Sequence, residues 1–520
     1  MTPGRDPRAV RHPGPTGLYR STVERHVCVV GGGIAGLAAA TVLAERGVRV
    51  TLLESGERLG GRVSAWPVSE GRTMSRGFHA FFRQYYNLRS LLRRTDPALA
   101  RLIPVDDYPL QRPDGTRDSF AGIPRTPPWS LLGFVARSEA FTARSLSRVD
   151  VGAALELLRV GFPDTYLRYE GESAAEFLDR LRFPPGARDL ALEVFARSFF
   201  ADPHDFAAGE LVAMFHTYFV GSAEGLLFDV PDEDYDTALW APLGRLLVDL
   251  GADVRTTTSA EAIELTGGGA HVRIAGGEAV DCDAVVLAAD PRSARDLIAG
   301  LSASPEPAGL DAWRADAAAT GNAPPFLVVR LWLDGPVDAA REAFVGTSGY
   351  GPLDNVTVLE RFEDGAARWA AAHGGSVVEL HAYACPPEVL QDTAALDALV
   401  ADLVDQLHRI YPETAQCAAT STEVLLRDDC AVMPPTGWSR RPGISTPFES
   451  LVLAGDWVRT GLPVALMERA ATTGFEAANH LLGRWGVAGQ DVWTVPMRGL
   501  LTLRRNRRSR RDQRPSAAGT

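Results

Sequence analysis

Apolar residues along this chain fall into short continuous runs, helical repeats and strict alternations, and their order predicts a mixed α/β protein built from separated pieces. Arg25-His-Val-Cys-Val-Val30, apolar from Val27 on, reads as a short buried strand. A helical run follows from Leu37 to Arg46, and then a second strand from Val48 to Leu53. Two similar runs stand far downstream, Asp283-Ala-Val-Val-Leu-Ala-Ala-Asp290 and Leu451-Val-Leu-Ala-Gly455. The second leads into a helix that opens at Met467 and continues through Gly474 to Leu482. Helical periodicity over Ser145 to Val160, Ser173 to Leu181 and Ala187 to Phe200 predicts a helix-rich insertion between the first and second groups. Phe326 to Leu333 alternates instead. Leu327, Val329, Leu331 and Leu333 share one face, and Val328, Arg330 and Trp332 the other. Ser376 to Tyr383 is its expected partner strand.

The first turn carries the chemistry. Between the first strand and the first helix stands Gly31-Gly-Gly33-Ile-Ala-Gly36, a GxGxxG sequence. Gly31 permits the tight turn, Gly33 lets backbone approach a pyrophosphate, and Gly36 allows the helix to pack closely on the strand. The helix N-terminus then faces the phosphates. Glu54 ends the second strand, about twenty residues on, where an acid accepts ribose hydroxyls. Strand, glycines, helix, strand and acid in this order predict a Rossmann-like dinucleotide site.

Glu57-Arg58-Leu59-Gly60-Gly61-Arg62-Val63 follows at once, and it resembles the ExxxRxGGR extension of the flavin-containing amine oxidoreductase superfamily, which includes carotenoid desaturases. That resemblance implies FAD, with Arg58, Gly60, Gly61 and Arg62 against its diphosphate. It also implies that Gly455 and Asp456 meet the ribityl chain and that Met467, at the start of the last helix, lies near the flavin pyrimidine. The positive end of that helix would stabilise a reduced, anionic flavin. Ala260 stands where the superfamily often has valine against the adenine.

The expected architecture is therefore a Rossmann-like FAD-binding domain (25–75, 236–292 and 424–486) interleaved with an α+β substrate domain (76–235 and 293–423) made of the helical insertion and an antiparallel sheet. A chain of 520 residues is long enough for both. Residues 1–24, rich in Pro, Arg and Gly without an apolar stretch, read as a disordered leader, and 487–520 as a basic C-terminal tail with its arginine cluster from Arg498 to Arg514. No run of eighteen apolar residues marks a spanning helix. The expected location is cytoplasmic. Cys28, Cys282, Cys385, Cys417 and Cys430 are scattered without metal-ligand spacing, so reduced thiols and no metal are expected. The net charge of −12 gives no sign of a nucleic-acid partner. The chain has no lysine, which excludes the lysine that many amine oxidases of the superfamily hold near the flavin N5.

Substrate chemistry is written in Gly77-Phe78-His79-Ala80-Phe81-Phe82-Arg83-Gln84-Tyr85-Tyr86, with five aromatic rings and one imidazole between positions 78 and 86. Such rings either pack as a core under the domain junction or wall a cavity for a flat apolar polyene, whose developing positive charge their faces stabilise. Phe78, Phe81, Phe82 and Tyr85, with Trp332 from the alternating strand, are the candidate cavity residues. His79 is the one side chain of the segment that titrates near neutral pH. It reads equally as a satisfied core histidine or as a base.

SRGFHAFFRQYYNLR (75–89), RSFFADP (197–203), GSAEGLLFDVPDE (221–233) and LAGDWVRTGLPVALMERA (453–470) together resemble the carotenoid desaturase/methyltransferases that aromatise a β-ionone ring, the phi-ring or isorenieratene synthases. The resemblance runs from about 26 to 485. It implies FAD-dependent desaturation of the ring with a 1,2-methyl shift. His79 is then the first candidate base and Glu468 the second. A carotenoid, a membrane surface reached peripherally and an electron acceptor that the sequence does not identify are the implied partners. A straight-chain carotene desaturase, a redox-neutral polyene isomerase and a carotenoid-binding protein with a structural flavin stay open as alternatives.

Overall fold

The computed structural model describes residues 5–105, 107–137, 149–182 and 199–502. A five-stranded parallel sheet runs in the order Asp253–Arg255, Arg49–Leu53, His26–Val30, Ala284–Leu287, Leu451–Leu453. His26–Val30 lies buried on both faces, as its apolar stretch from Val27 to Val30 requires in a parallel sheet. Helix Ile34–Glu45 follows after a three-glycine turn. It starts earlier than Leu37 because Gly33 is its N-cap and already accepts the Leu37 N–H at 2.9 Å. The helix is buried nearly all round, packed on its other side by helix Leu466–Arg484. That contact needs Gly474, whose Cβ would lie 2.3 Å from the Ala35 carbonyl oxygen. Four further strands, Ala279–Cys282, Gly269–Ile274, Ala260–Thr266 and Ser302–Ser304, form a separate layer on this unit.

A seven-stranded sheet has Phe326–Leu333 and Ser376–Ala382 as its second and third strands, paired antiparallel with Arg330 opposite Glu379. Leu327, Val329, Leu331 and Leu333 pack against Leu380, Leu403 and Leu407, the last two from helix Thr393–Ile410. Its pairing is antiparallel except where Phe344–Thr347 runs parallel to Leu110–Gln111, a strand drawn from the helical insertion. Two-residue strands such as Leu110–Gln111 and Arg117–Asp118 carry no periodicity, so the sequence gives no sign of them. The insertion contributes helices Val151–Glu156 and Ala174–Leu181; Ser145 to Arg148 and Ala187 to Ser198 lie outside the described residues.

Both termini depart from expectation. The leader is built into the fold: Val10–His12 pairs antiparallel with Val492–Thr494, and Leu18 bridges Val487. Buried Asp6 accepts from the Ala223 N–H at 2.6 Å, and the Arg5 guanidinium lies over the Trp493 ring. The glycines that read as disorder serve close approach here, since a Cβ at Gly17 would sit 2.1 Å from the Gly486 carbonyl oxygen. The tail is ordered through Thr502, with Gly499 N–H donating to the Val160 carbonyl at 2.9 Å. Composition misled at both ends because each supplies the other's hydrogen-bond partners. Most of the arginine cluster, 503–514, lies outside the described residues. No described helix is long and apolar enough to cross a membrane.

Candidate active site

A cavity of about 680 Å³ runs between the nucleotide sheet and the seven-stranded sheet. One half is made of glycine turns and charge. Gly31 has φ +109°, and a Cβ there would meet the Ala288 carbonyl at 2.6 Å. Gly36 sits beneath the turn, where a Cβ would collide with the Gly31 oxygen at 1.9 Å. Gly33 is different: its Cβ would meet nothing nearer than Gly61 Cα at 3.8 Å, so the missing side chain leaves space on the cavity side. Gly33 and Gly60 bridge the two glycine turns. Glu54 accepts the N–H groups of Gly32 and Gly56, each at 2.7 Å, and lines the cavity.

Arg58, Gly60, Gly61, Arg62, Ala260, Gly455, Asp456 and Met467 line the same half. Arg62 and Asp456 pair at 2.5 Å across 394 residues of sequence, and Arg58 pairs with Asp236. Asp236–Trp240 is a π-helical turn, and Trp240 donates its indole N–H to the Val63 carbonyl at 2.7 Å, fixing the second glycine turn. Two helix N-termini, at Ile34 and Leu466, open on this half. Open backbone, a ribose-length acid and paired charges at helix ends fit a dinucleotide such as FAD.

The other half is aromatic. Phe78, Phe82 and Tyr85 line it, joined by Tyr108, Phe200 and Tyr218, which the sequence reading did not single out. Tyr85 and Tyr218 share a hydrogen bond of 2.5 Å between their hydroxyls. Tyr218 belongs to a second π-helical turn, His216–Val220. His79 lines the cavity too. Its Nδ1 donates to the Gly77 carbonyl at 2.7 Å, so Nε2 carries the lone pair. Burial pushes its pKa down to about 4 against the raising effect of that bond, which keeps the imidazole neutral at pH 7.

Three candidates stand elsewhere. Phe81 is fully buried and packs on Tyr235, because adjacent residues of strand Phe81–Phe82 face opposite sides and Phe82 takes the cavity side. Trp332 is in an apolar cluster with Leu359, Trp369 and Val377, farther along its strand than Val328, which does line the cavity. Glu468 points away from the cavity. Met467 and Ala470 face inward, three residues apart on the helix, while Glu468 turns to the backbone of Asn87 and Leu88.

Sequence reasoning also missed His381, Tyr383 and Asn355 on the cavity wall. The signal was present. In a strand buried at every position, Glu379 and His381 recur every second residue, with Tyr383 just beyond, which sets polar groups on one face. All five cysteines are free, and no described cluster has the make-up of a metal site.

The model of the flavin-containing amine oxidoreductase family matches residues 34–482. The chain belongs to that family. It is an FAD-dependent oxidoreductase. Among curated relatives, the carotenoid phi-ring synthase of Streptomyces griseus is 54% identical over 501 residues, 95% of each chain. The carotenoid phi-ring synthase of Chlorobaculum tepidum is 26% identical over 600 residues, 92% of each. A solved putrescine oxidase bound to putrescine superposes with a TM-score of 0.63 at 16% identity, covering 89% of this chain and 100% of that one. That likeness concerns the fold alone.

Proposed function

We propose that this protein desaturates the β-ionone ring of a carotenoid with a 1,2-methyl shift, giving an aromatic ring. The observation that carries the reading is the aromatic half-cavity joined to the cofactor half, in a chain 54% identical to a carotenoid phi-ring synthase over nearly its whole length. FAD, when bound, supplies the two-electron acceptor that takes hydride from the ring. Everything else falls to the chain. Loss of hydride from ring carbon 4 leaves a cation spread along the polyene, and loss of a proton from carbon 3 leaves a diene. With a second oxidising equivalent drawn from the electron acceptor through the restored cofactor, a second hydride leaves carbon 2, a methyl group shifts there from quaternary carbon 1, and loss of the remaining carbon 2 proton completes the ring.

Rings such as Phe78, Phe82 and Tyr218 hold the polyene flat and stabilise its positive charge through their faces. Burial excludes water that would trap the cation. His79 is our first base: neutral, buried and with Nε2 available as acceptor. The Gly31, Gly33, Glu54, Arg58, Gly60, Gly61, Arg62, Gly455, Asp456 and Met467 positions would hold the cofactor, with Gly36 supporting their turn. Anaerobic mixing of the flavin-loaded protein with a β-ring carotene should bleach the flavin. Equal bleaching by an acyclic carotene would favour a straight-chain desaturase.

The substrate is insoluble in water, so we place the protein at a membrane surface without a spanning helix. Trp129, Leu132, Val151, Leu500 and Leu501 are exposed apolar residues on elements that touch one another. Ser130 bonds the Phe219 carbonyl, His216 bonds Pro496, and Gly499 bonds Val160. The same π-helical turn carries Tyr218 into the cavity. A path from the bilayer to the aromatic half would pass here.

A further inference from the structure

Aromatisation removes two protons from adjacent ring carbons, and a single imidazole holds one. On the cavity wall opposite the glycine turns, Ser376–Ala382 presents Glu379 and His381 on one face, with Tyr383 immediately after. Arg330, on the neighbouring strand, donates to Glu379 Oε2 through Nη2 at 2.6 Å and Nε at 3.0 Å. The Thr73 carbonyl and Ser75 Oγ anchor the same guanidinium, at 2.8 and 2.7 Å. Glu379 Oε1 meets His381 Nε2 at 2.8 Å, and His381 Nδ1 meets the Tyr383 hydroxyl at 2.8 Å. Asn355 donates its Nδ2–H to that hydroxyl at 3.0 Å. His381, Tyr383 and Asn355 all line the cavity.

The carboxylate at one end sets the proton arrangement in this row. Burial alone would raise the Glu379 carboxyl, but the Arg330 charge and the His381 contact outweigh it and hold the pKa at about 2. The carboxylate is therefore ionised, and Nε2 must carry a hydrogen, because an unprotonated nitrogen would set lone pair against lone pair at 2.8 Å. The Phe78 N–H also points its hydrogen at Nε2, at 3.2 Å, so Nε2 lies between a donor and the carboxylate, and the shorter contact to the charged oxygen at 2.8 Å prevails. Nδ1 is then the acceptor for the tyrosine hydroxyl. Hydroxyl, imidazole and carboxylate stand in the order that lets a hydroxyl give up its proton as an imidazolium forms.

Resting on the ring-aromatising reading above, we propose that Tyr383 is the proton acceptor for one ring deprotonation, with His381 as its relay and Glu379 and Arg330 as positioning residues. As the cation loses its proton, the C–H electron pair becomes the new C=C bond. The proton passes to Tyr383 Oη while Oη's own proton moves to His381 Nδ1. Tyrosine stays neutral, and the imidazolium is balanced by Glu379. The step consumes no electrons, since the hydride has already left. Asn355 adds to the electrostatics: its buried Oδ1 has no hydrogen-bond partner among the described residues. His79 flanks the same Gly77-Phe78 backbone from the other side, so two acceptors serve one ring without substrate release.

The test uses the full, flavin-loaded chain and compares Tyr383→Phe and His381→Gln with the wild type. Two quantities are read: flavin reduction in single turnover, and, with an added electron acceptor that reoxidises the flavin, aromatic product formed per electron pair passed on. Both variants should keep FAD and flavin reduction while the product ratio falls at least about tenfold, with no further loss in the double variant. A merely structural role lowers the two quantities together and leaves the ratio unchanged, which would overturn the relay. Spectra of protein with ¹⁵N-labelled histidine provide a readout without turnover. His381 should be Nε2-protonated, its Nδ1 resonance shifting in Tyr383→Phe; a neutral ring protonated at Nδ1 overturns the proposal. A wild type that makes no aromatic product defeats the underlying reading instead, whereas an aromatising wild type with unchanged ratios in both variants defeats only the relay.

Discussion

Glu468 Oε1 accepts both the backbone and the side-chain N–H of Asn87, each at 2.8 Å, while Oε2 accepts the Leu88 N–H at 2.9 Å. These are first-turn N–H groups of helix Tyr86–Leu92, which have no partner within their own helix. The carboxyl group thus ties that helix to helix Leu466–Arg484. Asn87 continues the tie to Trp493, accepting its N–H at 2.9 Å. Burial pushes the Glu468 carboxyl up to about 8, and the three donors work against that rise. Glu468→Gln replaces one acceptor oxygen by a donor and leaves a buried N–H unmet. Unfolding by denaturant should show a loss of about 1–3 kcal/mol, with the product ratio unchanged in protein that remains folded. Loss of aromatic product at wild-type stability would return Glu468 to the list of bases.

The two glycines of the first turn should separate binding from folding. Gly33→Val points a side chain into open cavity, so the protein should fold and fail to retain FAD. Gly36→Ala drives a methyl group into the Gly31 carbonyl and should lower thermal stability before any question of cofactor arises. Flavin absorbance and circular dichroism together check both. Normal flavin content in Gly33→Val would contradict the assignment of this turn to the diphosphate.

How much of this was legible depended on whether a signal was local. The parallel strands, the glycine turns and the face of Leu327, Val329, Leu331 and Leu333 are written as short-range patterns. Trp332 and Val328 share the other face, and no periodicity could say that only Val328 meets the cavity. Met467 and Glu468 adjoin in sequence and diverge in space because a helix turns about 100° per residue. Arg330 read as one polar residue in an apolar strand; its partner Glu379 is 49 positions away and known only once the strands pair. The N-terminal strand was invisible for the same reason, since Val10–His12 exists through Val492–Thr494.

His216 gives a pH dependence with a definite sign. Its Nε2 bonds the Pro496 carbonyl at 2.7 Å, and Nδ1 is buried without a partner among the described residues. Burial pushes its pKa down to about 4, below the ordinary 6.5. The unfolded chain then binds the extra proton between these values. Stability from this residue is complete above pH 6.5 and drains away as pH falls toward 4, by up to about 3 kcal/mol. The stability advantage of wild type over His216→Gln should shrink by that order across the window. A constant difference would show that His216 titrates normally in the folded protein.

Membrane attachment can be divided between apolar residues and the arginine tail. Truncation should begin at residue 503, since the chain through Thr502 packs on the insertion. Arginines within a Debye length of an anionic surface contribute about 1 kcal/mol each, screened by salt. Flotation with anionic liposomes should fall on truncation at low salt, and the Trp129→Ser, Leu132→Ser pair should weaken what persists at high salt. Flotation unaltered by both changes would contradict the proposed surface.

The most direct measurement is the product made by a β-carotene-producing host that expresses this chain and is fed methyl-labelled methionine. Aromatisation with an internal methyl shift predicts a product that has lost four hydrogens per modified ring, keeps every carbon, and carries no label from methionine in its ring methyl groups. A product with label in a ring methyl group, or one desaturated along the chain with its β-rings intact, would contradict it.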